Sequence, residues 1–167
     1  MNRVYQTIID QNKGNCMQAA IASLFEKKIE EVPNFIEFKN WFTPMYKFLI
    51  KNGYDYDGMI HNRNYVSLWH TKKDCFEKPK YHKHSIITPK RLYKEEGVNG
   101  LFYAAVLSPN YFSWSSRKNT THAVIIDRDY NVVFDPNPEY KNLYQYPLSR
   151  LLGYNGIVDI MLINPNK

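Results

Sequence analysis

The sequence predicts an α+β fold in which an N-terminal helix packs on an antiparallel sheet. Helical apolar spacing comes first along the chain, and short β-branched runs separated by turns come last. At 167 residues the chain has the usual size of a single core. Residues 1–167 are therefore expected to form one domain, with no internal repeat and no low-complexity segment.

Taken in order, Met17, Ala20, Ile21, Leu24 and Phe25 recur at helical spacing and predict a helix over about 15–27. Glu31-Val32-Pro33 reads as a turn leading into 34–38. Thr43-Pro44 reads as an N-cap with proline at the first helical position, and Asn52-Gly53 as the stop of that second helix. Residues 54–87 are the least periodic and read as irregular, with one strand near 65–69. Thr88-Pro89 opens a short helix stopped by Gly97. The apolar run 100–107 is a strand, and 108–120 is a polar, aromatic loop. The runs beginning at Thr121 and Val132 form a β-hairpin around the turn Arg128-Asp129-Tyr130-Asn131. A short helix over 146–153 and a last strand over 157–163 complete the chain.

Three residues in this frame carry chemistry. Cys16 stands where a polar loop becomes a helix. There the unpaired N–H groups and the helix dipole favour a thiolate, the nucleophilic form. A buried structural cysteine is the plain alternative. His122 opens one strand of the hairpin and Asp135 closes the other, so the two lie side by side. A carboxylate beside an imidazole fixes its tautomer and stabilises its protonated form. Cys16, His122 and Asp135 could thus supply nucleophile, base and orienting group. In the loop 108–120, Trp114 could line a substrate subsite.

A rival set is His70, Cys75, His82 and His84. Their spacing fits no common zinc module and no Cys-x-x-Cys is present, so the segment reads as a surface loop and no metal or cofactor is assigned. With only two cysteines, Cys16 and Cys75, a catalytic thiol leaves no structural disulfide, which fits a reducing compartment. Residues 1–6 lack the apolar core of a signal peptide, and no apolar run approaches membrane-spanning length. The expected location is the cytoplasm, with no membrane partner. The net charge is +6 and the pI ≈ 9.2. The basic residues are spread out, with a denser patch at Lys72, Lys73, Lys78, Lys80, Lys83, Lys90 and Arg91. No nucleic-acid motif accompanies them, so a solvated surface is expected rather than a nucleic-acid partner.

The motif order resembles the papain-like cysteine peptidase superfamily. The matching stretches are Gly14-Asn15-Cys16 with Ala19-Ala20-Ile21-Ala22-Ser23-Leu24, then His122-Ala123-Val124-Ile125, then Asp135-Pro136. The chain is most similar to the compact branch that includes the double-glycine leader peptidase domains of bacteriocin exporters. The longer pattern, with Glu31-Val32-Pro33-Asn34-Phe35 and Asp135-Pro136-Asn137-Pro138, looks like small papain-like proteins of bacteriophages. The resemblance implies a papain-like fold, with the nucleophile at Cys16, the base at His122 and the orienting acid at Asp135. It also implies a glutamine before the cysteine whose amide shares the oxyanion hole with the Cys N–H. Gln11 is the nearest, one residue closer than the family spacing, and Gln6 is the alternative; Asn15 could donate instead. Met17 stands where the leader peptidases carry glycine.

These readings lead to an expected thiol hydrolase cleaving a peptide, isopeptide or side-chain amide bond. Its substrate would be a protein or peptide, a host protein among the candidates, in the host cytoplasm if the protein is phage-encoded. The alternative is a catalytically silent papain-like fold that binds, for example, a host defence factor.

Overall fold

The computed structural model describes residues 1–10, 14–62, 84–107, 121–139 and 153–167. Its helices are α1 (Cys16–Leu24) and α2 (Phe42–Lys51). Its strands are β1 (Tyr54–His61), β2 (His84–Ile86), β3 (Phe102–Leu107), β4 (Thr121–Ile126), β5 (Val132–Phe134) and β6 (Ile157–Pro165). They form one six-stranded sheet in the order β2-β1-β6-β3-β4-β5. The five strands from β1 to β5 in that order pair antiparallel, and β2 adds to the β1 edge in parallel. The expected α+β architecture of an N-terminal helix on an antiparallel sheet is present, with β2 as a parallel addition. Among the described residues no helix is long and apolar enough to cross a membrane.

β6 occupies the interior of the sheet because its sequence suits burial on both sides. Ile157, Val158, Ile160, Met161, Leu162 and Ile163 are all buried, and a nearly continuous apolar run has no solvent-facing side. One face of the sheet packs on the helices through Met17, Ile21, Leu24, Met45 and Leu49 against Tyr103, Ala123, Ile125, Met161 and Ile163. The other face gathers Ile60, Leu92, Phe102, Val106, Val124, Ile126 and Ile160. Ile21 is fully buried, so truncating it to alanine would cost about 2–5 kcal/mol.

Several elements depart from expectation for local reasons. Helix α1 stops at Leu24, short of Lys27, because Glu26 turns left-handed (φ 56°). Lys27 N–H then reaches Ala22 O at 2.9 Å and Glu26 N–H reaches Ser23 O at 3.3 Å, the paired bonds of a Schellman stop. Helix α2 begins at Phe42, so Pro44 is its third residue, where the missing N–H would have had no intrahelical partner. The turn before it holds two 3₁₀ segments, Ile29–Glu31 and Phe35–Glu37.

Strand β1 falls in the stretch read as irregular. Asp55, Asp57 and Gly58 disfavour a strand locally. Pairing along β6 overrides that, with a register shift between Tyr56 and Gly58 that leaves Asp57 as the extra residue. The expected helix after Pro89 is only a 3₁₀ turn, Arg91–Lys94, entered through a left-handed Lys90 (φ 61°). β3 starts at Phe102, two residues after Gly100, whose φ of 78° belongs to the preceding turn. The expected strand near 65–69, the loop 108–120 and all but the last residue of the expected helix 146–153 lie outside the described residues.

Candidate active site

Cys16 is the first residue of α1 and is partly exposed. The loop before it is closed by Gly14 N–H to Asp10 O at 3.0 Å and Asn15 N–H to Ile8 O at 3.2 Å. A Cβ on Gly14 would stand 2.5 Å from the Asp10 carbonyl oxygen, so only glycine fits there. Asn15 is buried and fully engaged. Its Oδ1 accepts the N–H groups of Thr7 (3.0 Å) and Ile8 (2.9 Å), and its Nδ2 donates to Thr7 Oγ1 (3.0 Å) and Gln18 Oε1 (3.1 Å). The side chain considered as an oxyanion donor is instead a lock between the N-terminal segment and α1. As the first residue of the helix, Cys16 has a backbone N–H with no partner within α1.

His122 sits at the start of β4, the strand most closely packed under α1. Its Nε2–H donates to Asp135 Oδ1 at 2.6 Å, and the two side chains are 7% and 6% exposed. Asp135 follows the last residue of β5. Asn137 N–H also donates to its Oδ1, at 2.8 Å, so the Asp-Pro-Asn turn grips the carboxylate from its own backbone. With Nε2 given to Asp135, Nδ1 is the ring nitrogen left for the sulfur, and the Cys16 thiol hydrogen-bonds His122. The structure thus brings Cys16, His122 and Asp135 into one connected array.

The electrostatics follow from that array. Burial alone would push the Cys16 thiol up. The hydrogen bond and charge of His122, together with the N–H groups of Ala123 and Met17, outweigh it and hold the thiol below its ordinary value. Burial alone would pull His122 down. The bonds and charges of Asp135 and Cys16 prevail and raise it to about 9. Each group therefore favours the charged form of the other.

The other expected site residues are placed less centrally. Gln6 is buried, and its backbone N–H donates to Pro136 O at 2.9 Å, which sets it against the Asp135-Pro136 turn. Among the described residues no hydrogen bond joins Gln6 to Cys16, and its Oε1 and Asp135 Oδ2 are buried without a hydrogen-bond partner. Gln11 and Trp114 lie outside the described residues, as do His70, Cys75 and His82 of the rival set. His84 pairs with Met59 between β2 and β1. Among the described residues no group of three His, Cys, Asp or Glu side chains is placed to hold a metal ion.

One pair escaped the sequence reading. His61 Nδ1 and Asp159 Oδ1 lie 2.5 Å apart across β1 and β6. His61 fell in the segment read as irregular. Asp159 carried a visible signal, being the one charged residue of the apolar strand β6. A scan against protein-family models, a search of curated proteins and a search of solved structures each found no match to this chain.

Proposed function

We propose that this protein is a papain-like thiol hydrolase acting on a peptide, isopeptide or side-chain amide bond. The observation that carries this reading is the Cys16–His122–Asp135 array, with a thiol held low and an imidazole held high at a helix start. In that state the Cys16 thiolate attacks the carbonyl carbon and forms a C–S bond. The developing oxyanion faces the Cys16 N–H at the positive end of α1. Protonated His122 gives its proton to the leaving nitrogen as the C–N bond breaks. Water then loses a proton to His122 and attacks the thioester, releasing the acid and restoring the thiolate. Asp135 orients the ring and keeps its charge favourable throughout. Chemistry that depends on a free thiolate calls for a reducing compartment, and the motif resemblance to small phage proteins points to the host cytoplasm.

Peptide-resolved alkylation by iodoacetamide at pH 6 tests the reading. Cys16 should react about tenfold or more faster than free cysteine, whose thiol is almost wholly protonated there. A peptide aldehyde should also form a hemithioacetal at Cys16. If Cys16 alkylates no faster than free cysteine, the thiol reading falls and a silent binding fold becomes the better account.

A further inference from the structure

The geometry points to Asp159, braced by His61, as the subsite that takes a basic side chain of the substrate, lysine or arginine, beside the bond that Cys16 attacks. This assignment rests on the thiol-hydrolase reading above. Four residues pair directly across the sheet: His61 with Asp159, Asp159 with Ala105, and Ala105 with Ala123. Directly paired residues project from the same face. Ala123 and its strand neighbour Ile125 pack on the helices, so this row lies on the α1 face. The Ala123 N–H hydrogen-bonds the Cys16 sulfur, which anchors one end of the row at the nucleophile. Asp159 stands two strand spacings away, about 10 Å. Along this row of directly paired residues the side chains between Asp159 and Cys16 are the small ones of Ala105 and Ala123. A lysine stem reaches about 6 Å from its Cα, so a residue within one or two of the scissile bond spans the gap.

The local backbone is arranged around this carboxylate. Val106 pairs with Ile157 while Ala105 pairs with Asp159, so Val158 is an extra residue and β6 bulges next to Asp159. Bulges re-aim side chains and recur beside functional sites. Asn62 secures this one: its N–H donates to Val158 O at 2.8 Å and its Nδ2 to Ile157 O at 2.7 Å. An ionised side chain on an interior strand is costly to bury without compensation. Asp159 keeps a 29% exposed side chain, with one oxygen held by a His61 side chain only 9% exposed. Its negative field reaches the site, since Asp159 contributes, after burial, to holding the Tyr56 and Tyr103 hydroxyls above their ordinary range, and Tyr103 also feels Cys16. On a chain of net charge +6, a carboxylate about 10 Å from the Cys16 contact at Ala123 favours cations locally.

The test uses short acetylated peptidyl fluoromethyl ketones that alkylate Cys16. They carry lysine, arginine, norleucine or glutamate at the ketone residue or the one before it. Lysine and arginine reagents should react about tenfold or more faster than norleucine at one of the two positions, the range for a hydrogen bond to a charged group, and glutamate slowest. A difference between lysine and arginine tells which head group the carboxylate fits. Asp159→Asn should bring the lysine-to-norleucine ratio close to one; being a ratio within one protein, it is insensitive to any loss of folded material. Equal lysine and norleucine rates at both positions on the native protein, or a ratio that survives Asp159→Asn, overturn the assignment. If iodoacetamide still alkylates Cys16 rapidly in that case, only the subsite falls. If it does not, the hydrolase reading falls with it.

Discussion

Two polar clusters, one around the buried Asn164 and one around Cys16 and the buried His122, sit on opposite faces of the same sheet and are built on opposite principles. Asn164 Nδ2 donates to Asp57 Oδ2 (2.6 Å) and Glu95 Oε2 (2.9 Å), and its Oδ1 accepts from Glu96 N–H (3.1 Å) and Gly97 N–H (2.9 Å). Every hydrogen-bonding position of that amide is used. Arg91 completes the cluster through its ion pair with Glu95, and its proximity, with the Asn164 bond, keeps that carboxyl below its ordinary value against the opposing effect of burial. Around Cys16 the bonding is incomplete. Asp135 Oδ1 accepts two hydrogen bonds while Oδ2, among the described residues, accepts none, and charge is drawn into a nearly buried pair. A closed cluster stabilises the fold; an open one carries a cost that a chemical role explains.

The comparison breaks if substitutions in the two clusters have the same consequence. Cys16→Ser should lower any amide hydrolysis by about 10³-fold or more, while urea melts move by less than about 1 kcal/mol, since the change is one atom at a partly exposed site. Full activity in that variant would remove the thiol from the mechanism. Asn164→Ala should do the reverse. It leaves the Glu96 and Gly97 N–H groups and two carboxylates short of partners, a loss of about 2–4 kcal/mol in urea unfolding. The alkylation rate of Cys16 at pH 6 should stay at the native value. A stable Asn164→Ala protein, or one with a slowed thiol, would mean that the two clusters are not separate.

The same contrast explains what could be read in the sequence. Cys16, His122 and Asp135 were legible because each occupies an element end with a local signature: the loop-to-helix step after Gly14, the first residues of β4, the Asp-Pro turn after β5. The hairpin itself makes His122 and Asp135 neighbours, and the helix start explains the thiol. Strand β1 was not legible. Its YDYDGMIH sequence is stabilised by a partner strand about a hundred residues later, and its pairing with β6 is a tertiary fact. With β1 unseen, the insertion of β6 between β1 and β3 and the meeting of His61 with Asp159 could not follow. Asn15 misled in the other direction. Its position beside Cys16 suggests a donor to an oxyanion, but its side-chain polar atoms are all spent on Thr7, Ile8 and Gln18.

The smallest expected effect is a slope in stability against pH, and it sharpens the comparison most finely. In the folded protein His122 keeps its proton up to about 9 against an ordinary 6.5, and Cys16 releases its proton below its ordinary 9.0. A folded imidazolium–thiolate pair carries one proton. The unfolded chain, with neutral imidazole and protonated thiol, also carries one between pH 6.5 and 9. Stability varies with pH only where the two states bind different numbers of protons, so the native pair contributes almost no slope in the part of that window above the Cys16 ionisation, which lies below the ordinary 9.0. Cys16→Ala breaks the balance. The hydrogen bond and charge of Asp135 still favour the proton on His122 against burial, so the folded variant is expected to hold a proton that the unfolded chain lacks. That contribution is fully present below pH 6.5 and is lost as pH rises through the folded value of His122, which stands below about 9 once the share of Cys16 is gone. Above the pH at which native Cys16 ionises, and up to pH 9, the variant should therefore lose stability relative to the native protein, at no more than about 1.4 kcal/mol per pH unit. Urea melts of both proteins at half-unit intervals give the difference directly, with all other titrating groups cancelling. Profiles that run parallel would show that Cys16 and His122 do not share a charge-separated pair, and the Cys16 cluster would then be as inert as the one around Asn164.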